Sequence, residues 1–415
     1  MSREKTDVLV IGAGPSGTVA ASIVHQNGLK VQVVEKQKFP RFVIGESLLP
    51  RSMEHFEEAG FLDALSSQGF EKKFGAKFLR DGQECLFDFS KQYYDGWTWT
   101  WQIPRADFDK VMADEVEKMG VPIHYETGVV DVKFNGSDSI TTVEDNAGNK
   151  REIEAKFIID SSGYGRVLPR LLNLDETSDL SAKHSIFTHC KDTNRPEGIK
   201  GSQITFVVHR QDVWIWVIPF SNGITSLGVV GEPYFFEDFS GTPEERLRKI
   251  IEEDPHFNER FRDVEYLIEP REIKGYSIGT KKLYGDGFAL TGNSAEFLDP
   301  VFSSGVCFAT ESGLTAAKLA SQQIKGEAVD WEKQYAKYIM HGINVFRSYV
   351  KAWYDGSLQD IFFARNENPK LKRQICSVLA GYVWDETNPF VVKHERAIKA
   401  LSDVIKIEEG ISLSN

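Results

Sequence analysis

The 415-residue sequence predicts an α/β protein: a Rossmann-like domain, an antiparallel β-sheet inserted into it, and a helical C-terminal region. Three patterns point there. Residues 7–11 form a short β-rich run, followed by Gly12-Ala-Gly14-Pro15-Ser16-Gly17 and an apolar stretch of helical length over 18–25. Strand-like runs then cluster between residues 184 and 231. From Trp331 onward the apolar residues fall at helical spacing.

The elements follow in order. Residues 31–34 form the second strand, with Glu35 at its end, which completes a doubly wound βαβ opening. Residues 78–101, rich in aromatics and turn formers, read as short antiparallel strands, and 105–119 as a helix. Alternating strands run over 124–159, with a turn at Asn146-Ala-Gly148. The inserted sheet is supplied by 203–209, 213–218 and 224–230; 288–291 is a returning strand and 306–324 a helix. These readings give the Rossmann-like domain residues 1–76, 105–180 and 276–330, the inserted strands 77–104 and 181–275, and the C-terminal helices 331–415.

Composition narrows the function. Hydrophobic residues make up 41% and charged residues 27%, which is ordinary for a globular chain. Forty-nine basic against sixty-one acidic residues give a net charge of −12, which argues against nucleic acid and anionic membrane as partners. No run reaches the roughly 20 apolar residues of a membrane helix. The N-terminus enters a strand at once, leaving no room for a signal peptide, so a cytoplasmic chain is expected. Cys85, Cys190, Cys307 and Cys376 are scattered, and the nine histidines show no ligand spacing, so no metal is expected.

The glycine motif has a physical purpose. Gly12 permits the tight turn, Gly14 lets the backbone approach a pyrophosphate, and Gly17 lets helix and strand pack closely. The helix start at Pro15 and Ser16 stabilises the negative charge. Glu35, about twenty residues on, accepts ribose hydroxyls and repels a 2′-phosphate. Together these predict an adenine dinucleotide, with Lys36 and Arg41 assigned to the same site.

Two later segments resemble the FAD-dependent monooxygenase superfamily. Phe157-Ile-Ile-Asp160-Ser-Ser-Gly163 resembles its Asp-Gly segment. Phe288-Ala-Leu-Thr-Gly292-Asn293 resembles its second flavin-contacting segment, where the family's Gly-Asp places a carboxylate on the flavin's ribose; here Asn293 stands instead. An amide accepts a hydroxyl more weakly than a carboxylate. Arg105 matches the arginine opening the family's helix near the flavin.

Within that superfamily the chain resembles the flavin-dependent halogenases of the phenol and pyrrole type, over most of residues 6–330. Val213-Trp214-Ile-Trp216-Val-Ile218-Pro219 matches their Trp-x-Trp-x-Ile-Pro signature, although Trp99-Thr-Trp101-Gln-Ile103-Pro104 fits it too. The tryptophans also read as packing that shields the flavin from the substrate side. Phe297-Leu-Asp299-Pro300-Val-Phe302-Ser303-Ser304-Gly305 matches Phe-x-x-Pro-x-x-Ser-x-Gly, and Gly45-Glu46-Ser47 the strap joining flavin and substrate regions. Phe70-Glu-Lys72-Lys73-Phe-Gly-Ala-Lys77 resembles the segment bearing the active-site lysine, which falls at Lys73, with Lys77 as the alternative. On one alternating strand Lys73 and Lys77 share a face and Lys72 points away.

The resemblance implies a reaction in which reduced FAD, oxygen and chloride or bromide yield hypohalous acid, directed by Lys73 onto an electron-rich phenol or pyrrole, free or tethered to an acyl carrier protein. It assigns Gly12, Gly14, Pro15, Ser16, Gly17, Glu35, Lys36, Arg41, Glu46, Ser47, Arg105, Asp160, Gly292, Asn293, Pro300 and Gly305 to FAD, Ser304 and Gly305 to halide, and Phe302 and Ser303 to the substrate pocket. Phe302 stands where tryptophan-directed members carry a glutamate. No second dinucleotide motif occurs, so a separate flavin reductase is expected as partner. Two alternatives remain: a halide-independent FAD-dependent hydroxylase or an oxidoreductase like geranylgeranyl reductase, and a non-catalytic flavin-binding module docking a carrier through residues 370–373.

Overall fold

The computed structural model describes residues 3–410. Its first layer is an eight-stranded mixed sheet. Arg3–Ile11 lies near its middle, parallel to Val31–Val34 on one side and to Lys150–Asp160 on the other. Phe288–Leu290 and Ile123–His124 extend the parallel run outward. A parallel strand is covered on both faces, and Val8, Leu9, Val10 and Ile11 are accordingly buried without alternation.

Two helices cover this sheet and meet closely. Pro15–Gln26 follows the first strand, and Ser304–Ile324 crosses it where Gly313 meets Ser16. A Cβ at Gly313 would lie 2.5 Å from the Ser16 carbonyl oxygen, so only glycine permits this approach. The contact sets the N-termini of both helices near one end of the sheet.

The second layer is a seven-stranded sheet built from two distant parts of the chain. His184–Lys191, Ile224–Gly231, Val213–Pro219 and Thr205–Arg210 pair antiparallel. Gly75–Arg80 then joins Thr205–Arg210 in parallel and Gln83–Asp88 closes the edge. Strand alternation sends Val213, Ile215 and Val217 to a core with Phe235, Leu247 and Phe261. Trp214 and Trp216 point the other way, into the main core. The C-terminal helices, chiefly Lys337–Tyr354, Pro369–Leu379 and His394–Glu408, close the molecule.

Two expectations are corrected. Lys73 and Lys77 do not share one strand: Glu71–Lys73 pairs with Thr100–Gln102, while Gly75–Arg80 belongs to the large sheet. The chain breaks at Phe74, so alternation cannot be counted across it. The long helix begins at Ser304 rather than Val306, because Ser303, at φ 58°, already makes the turn. Among the described residues, no helix is long and apolar enough to cross a membrane.

Candidate active site

A cavity of about 990 Å³ opens where the carboxyl ends of the parallel strands face the second sheet. Such crevices are where doubly wound sheets bind ligands. Gly12, at φ 97°, makes the turn out of the first strand, and a Cβ there would sit 2.5 Å from the Ser161 carbonyl oxygen. A Cβ on Gly17 would lie 1.9 Å from the Gly12 carbonyl oxygen, so helix and strand pack without room for a side chain. Gly14 is open instead: the nearest group to its Cβ position is the Arg41 guanidinium at 3.6 Å. This leaves space for a phosphate between a helix N-terminus and a cation.

Glu35 is 6% exposed and is aimed by two backbone donors, Ala13 N–H to Oε2 and Gln37 N–H to Oε1, each at 2.8 Å. Arg41 and Arg105 share one carboxylate. Asp109 accepts from Arg41 at 2.8 Å and from the Arg105 Nε and terminal nitrogen at 2.8 and 2.9 Å. Burial alone would lower the Arg105 pKa, but Asp109 holds it above the usual value. Arg105 also donates to the Ile44 and Gly45 carbonyls, which pins the strap to the cavity wall.

Gly12, Gly14, Pro15, Ser16, Glu35, Lys36, Arg41, Glu46, Ser47, Arg105, Gly292, Asn293, Pro300, Ser303 and Gly305 all line the cavity. Asp160 stands behind it. Its carboxylate accepts from the backbone of Ser162 and Leu168 and from the Ser294 hydroxyl, so it organises the loops that line the site. Ser304 is buried in the first helical turn behind the lining. Phe302 packs edge-on against Tyr349 and Trp353, with centroids 6.1 and 5.9 Å away. Trp214 and Trp216 line the cavity, while Trp97, Trp99 and Trp101 form a separate edge-to-face ladder.

Lys73 is 3% exposed and also stands behind the cavity lining. Its ammonium donates to Ser47 Oγ at 2.9 Å and to the Leu48 carbonyl at 2.8 Å, on the strap. Burial pushes its pKa down to about 7. Lys77 instead faces Glu84 at 3.9 Å, and Lys72 lies over the Trp99 ring at 4.6 Å.

The residues present fit FAD: an open phosphate cradle, an oriented ribose acceptor and two cations in one crevice. The comparisons agree. Residues 5–278 match the model of the FAD binding domain family. A crystal structure of a flavoprotein/dehydrogenase from Cytophaga hutchinsonii superposes with TM-score 0.96 at 60% identity, covering 98% of this chain and 100% of that one. The 1H-pyrrole-2-carbonyl-[peptidyl-carrier protein] chlorinase of Pseudomonas fluorescens is 28% identical over 96% of this chain and 94% of its own. The flavin-dependent halogenase armH5 of Armillaria mellea is 30% identical over 80% of this chain and 67% of its own.

The chain belongs to the flavin-dependent halogenase family. It is an enzyme of the FAD-dependent oxidoreductase class, and FAD is its cofactor. Several cavity residues of this halogenase-family chain escape the sequence reading. Asp109, behind the lining and paired with Arg41 and Arg105, escapes it too, although its spacing of four from Arg105 on a helix suffices to find it. Thr127, Gly128 and Val129 beside Glu35 carry no motif, nor does Tyr276.

Proposed function

We propose that the protein halogenates an electron-rich aromatic ring, a phenol or a pyrrole, with chloride or bromide, and that Lys73 directs the oxidised halogen. FAD, reduced by a partner flavin reductase, supplies with oxygen the oxidising power that converts halide to hypohalous acid. One observation carries the reading: a lysine 3% exposed, tied to the cavity wall through Ser47, with its pKa near 7. An ammonium has three donors, and two are used by Ser47 and Leu48. The third would hold the oxygen of hypohalous acid. A proton held at a pKa near the working pH transfers readily when that oxygen departs as water.

Ser304 and Gly305 open the long helix, whose first-turn N–H groups favour an anion, so they are assigned to the halide. Trp214 and Trp216 give the cavity an aromatic wall suited to a flat ring. The chlorinase of Pseudomonas fluorescens acts, by its name, on a pyrrole joined to a carrier protein, which supports a carrier-bound substrate here.

The test mixes protein carrying reduced FAD with oxygen and follows the return of the oxidised flavin spectrum with and without chloride and bromide. Halide-accelerated return supports the halogenase. A second reading, a halide-independent hydroxylase or reductase-like flavoenzyme, is favoured by the 60% identity to a flavoprotein/dehydrogenase and by Asn293. Return at one rate under all three conditions selects it.

A further inference from the structure

Trp214, Tyr354 and Asp299 come from three distant segments and form one directed chain of hydrogen bonds. The indole Nε1–H of Trp214 donates to the Tyr354 hydroxyl at 2.9 Å. That hydroxyl donates to Asp299 Oδ2, also at 2.9 Å. Tyr276 donates to the same oxygen at 3.3 Å, and the backbone N–H of Val301 donates to Oδ1 at 3.0 Å. One carboxylate, 3% exposed, therefore holds two aromatic residues on one oxygen and the Pro300–Phe302 turn on the other. Trp214, Tyr276, Pro300 and Ser303 line the cavity, and Asp299 and Tyr354 stand behind them.

The direction of the chain matters. An ionised carboxylate has no proton to give, so the Tyr354 hydroxyl, which accepts from Trp214, spends its one proton on Asp299. An ionised carboxylate accepts all three donors, and an amide does not. Lys183, whose ammonium lies 3.8 Å from the Tyr354 ring centroid and is held by Ser181 and Glu232, steadies the ring from the side. Burial raises the Asp299 pKa to about 6, against the opposing bonds from Val301, Tyr354 and Tyr276 and the charge of Lys183, which leaves it ionised at neutral pH.

We propose that Asp299 is a positioning residue for the aromatic substrate, fixing Trp214 and Tyr276 in the cavity wall at a set distance from the Pro300–Gly305 turn. Tyr354, the last residue of the helix Lys337–Tyr354, is the link, so the C-terminal helices reach the substrate wall through one hydroxyl. The substrate role rests on the halogenase reading, whereas the hydrogen-bond network does not.

The test uses the FAD-loaded full chain labelled with 5-fluorotryptophan, the Trp214 fluorine line being assigned by its loss in Trp214→Phe. Tyr354→Phe and Asp299→Asn should each shift or split that line. With phenol and pyrrole as substrate probes, each should raise KM about tenfold with kcat nearly unchanged, the usual effect of losing one buried partner, and FAD affinity should hold. Trp214→Phe combined with Tyr354→Phe should cost less than the sum of the two, because the Trp214–Tyr354 bond is lost in both. A shifted line with unchanged KM, or additive costs, overturns the proposal. If the unmodified protein forms no halogenated product, the halogenase reading fails; the fluorine line and the KM for whichever oxidised product forms still decide the role of Asp299.

Discussion

The ammonium of Lys73 lies 2.9 Å from the hydroxyl of Ser47, and that bond joins a buried lysine on the strand Glu71–Lys73 to a strap residue that lines the flavin cavity. Burial lowers the Lys73 pKa to about 7, so the side chain costs stability as it charges.

The pH window follows. Unfolded lysine titrates near ~10.4, whereas folded Lys73 titrates at about 7. The stabilising preference for the neutral form is present above the unfolded value and is lost as pH falls through the folded one. Lys73→Met should therefore stabilise the protein by on the order of 3 kcal/mol at pH 6, and by little at pH 10.5. Urea unfolding across that range measures it. The same variant should lose halogenated product by roughly 100-fold or more while keeping FAD. Full product formation would remove Lys73 from the mechanism.

Glu35→Gln tests the ribose acceptor. Both carboxylate oxygens already accept backbone N–H groups, and an amide can serve only one of them. FAD affinity, read by quenching of flavin fluorescence, should fall about tenfold. An unchanged affinity would place the adenosine elsewhere in the cavity.

A separate network behind the long helix governs acid stability. Glu311 accepts from His55 Nε2 and the Tyr338 hydroxyl at 2.8 Å and from Arg51 at 3.0 Å. Burial pushes its pKa up, but His55, Arg51 and Tyr338 prevail and hold it down to about 2. Its contribution is present above the unfolded value, near ~4.3, and is lost as pH falls through about 2. Glu311→Gln should cost on the order of 3 kcal/mol at pH 7 and flatten the fall in stability below pH 4.5. Chemical unfolding at pH 7 and pH 3 separates the two terms.

How far the sequence alone reaches depends on whether a feature is local. Gly12, Gly14, Gly17 and Glu35 lie within one βαβ unit, where spacing dictates geometry, and the strands and helix around them fall within a few residues of their expected limits. Lys73 and Lys77 mislead because Gly75, the one local mark beside the break at Phe74, is equally compatible with a strand that runs straight on. The switch of sheet there is a tertiary event. Asp299 lay within a quoted motif, yet its partners Tyr276 and Tyr354 come from elsewhere in the chain and share no pattern. Contacts set by folding over long distances leave no periodicity to read.

Asn293 offers the reverse test, a gain. It lines the cavity where the superfamily carries a carboxylate, and its backbone carbonyl accepts from Arg166 at 2.9 Å. Arg166 is 2% exposed and already paired with Asp175, so a cation is in place to offset a new negative charge. A carboxylate accepts a ribose hydroxyl about twice as strongly as a neutral amide. Asn293→Asp should therefore tighten FAD by about tenfold with no loss of thermal stability, read by flavin fluorescence and by unfolding with and without FAD. Weaker binding would mean that the side chain faces a phosphate, where the added charge repels, and would move the ribose acceptor to another residue of the lining.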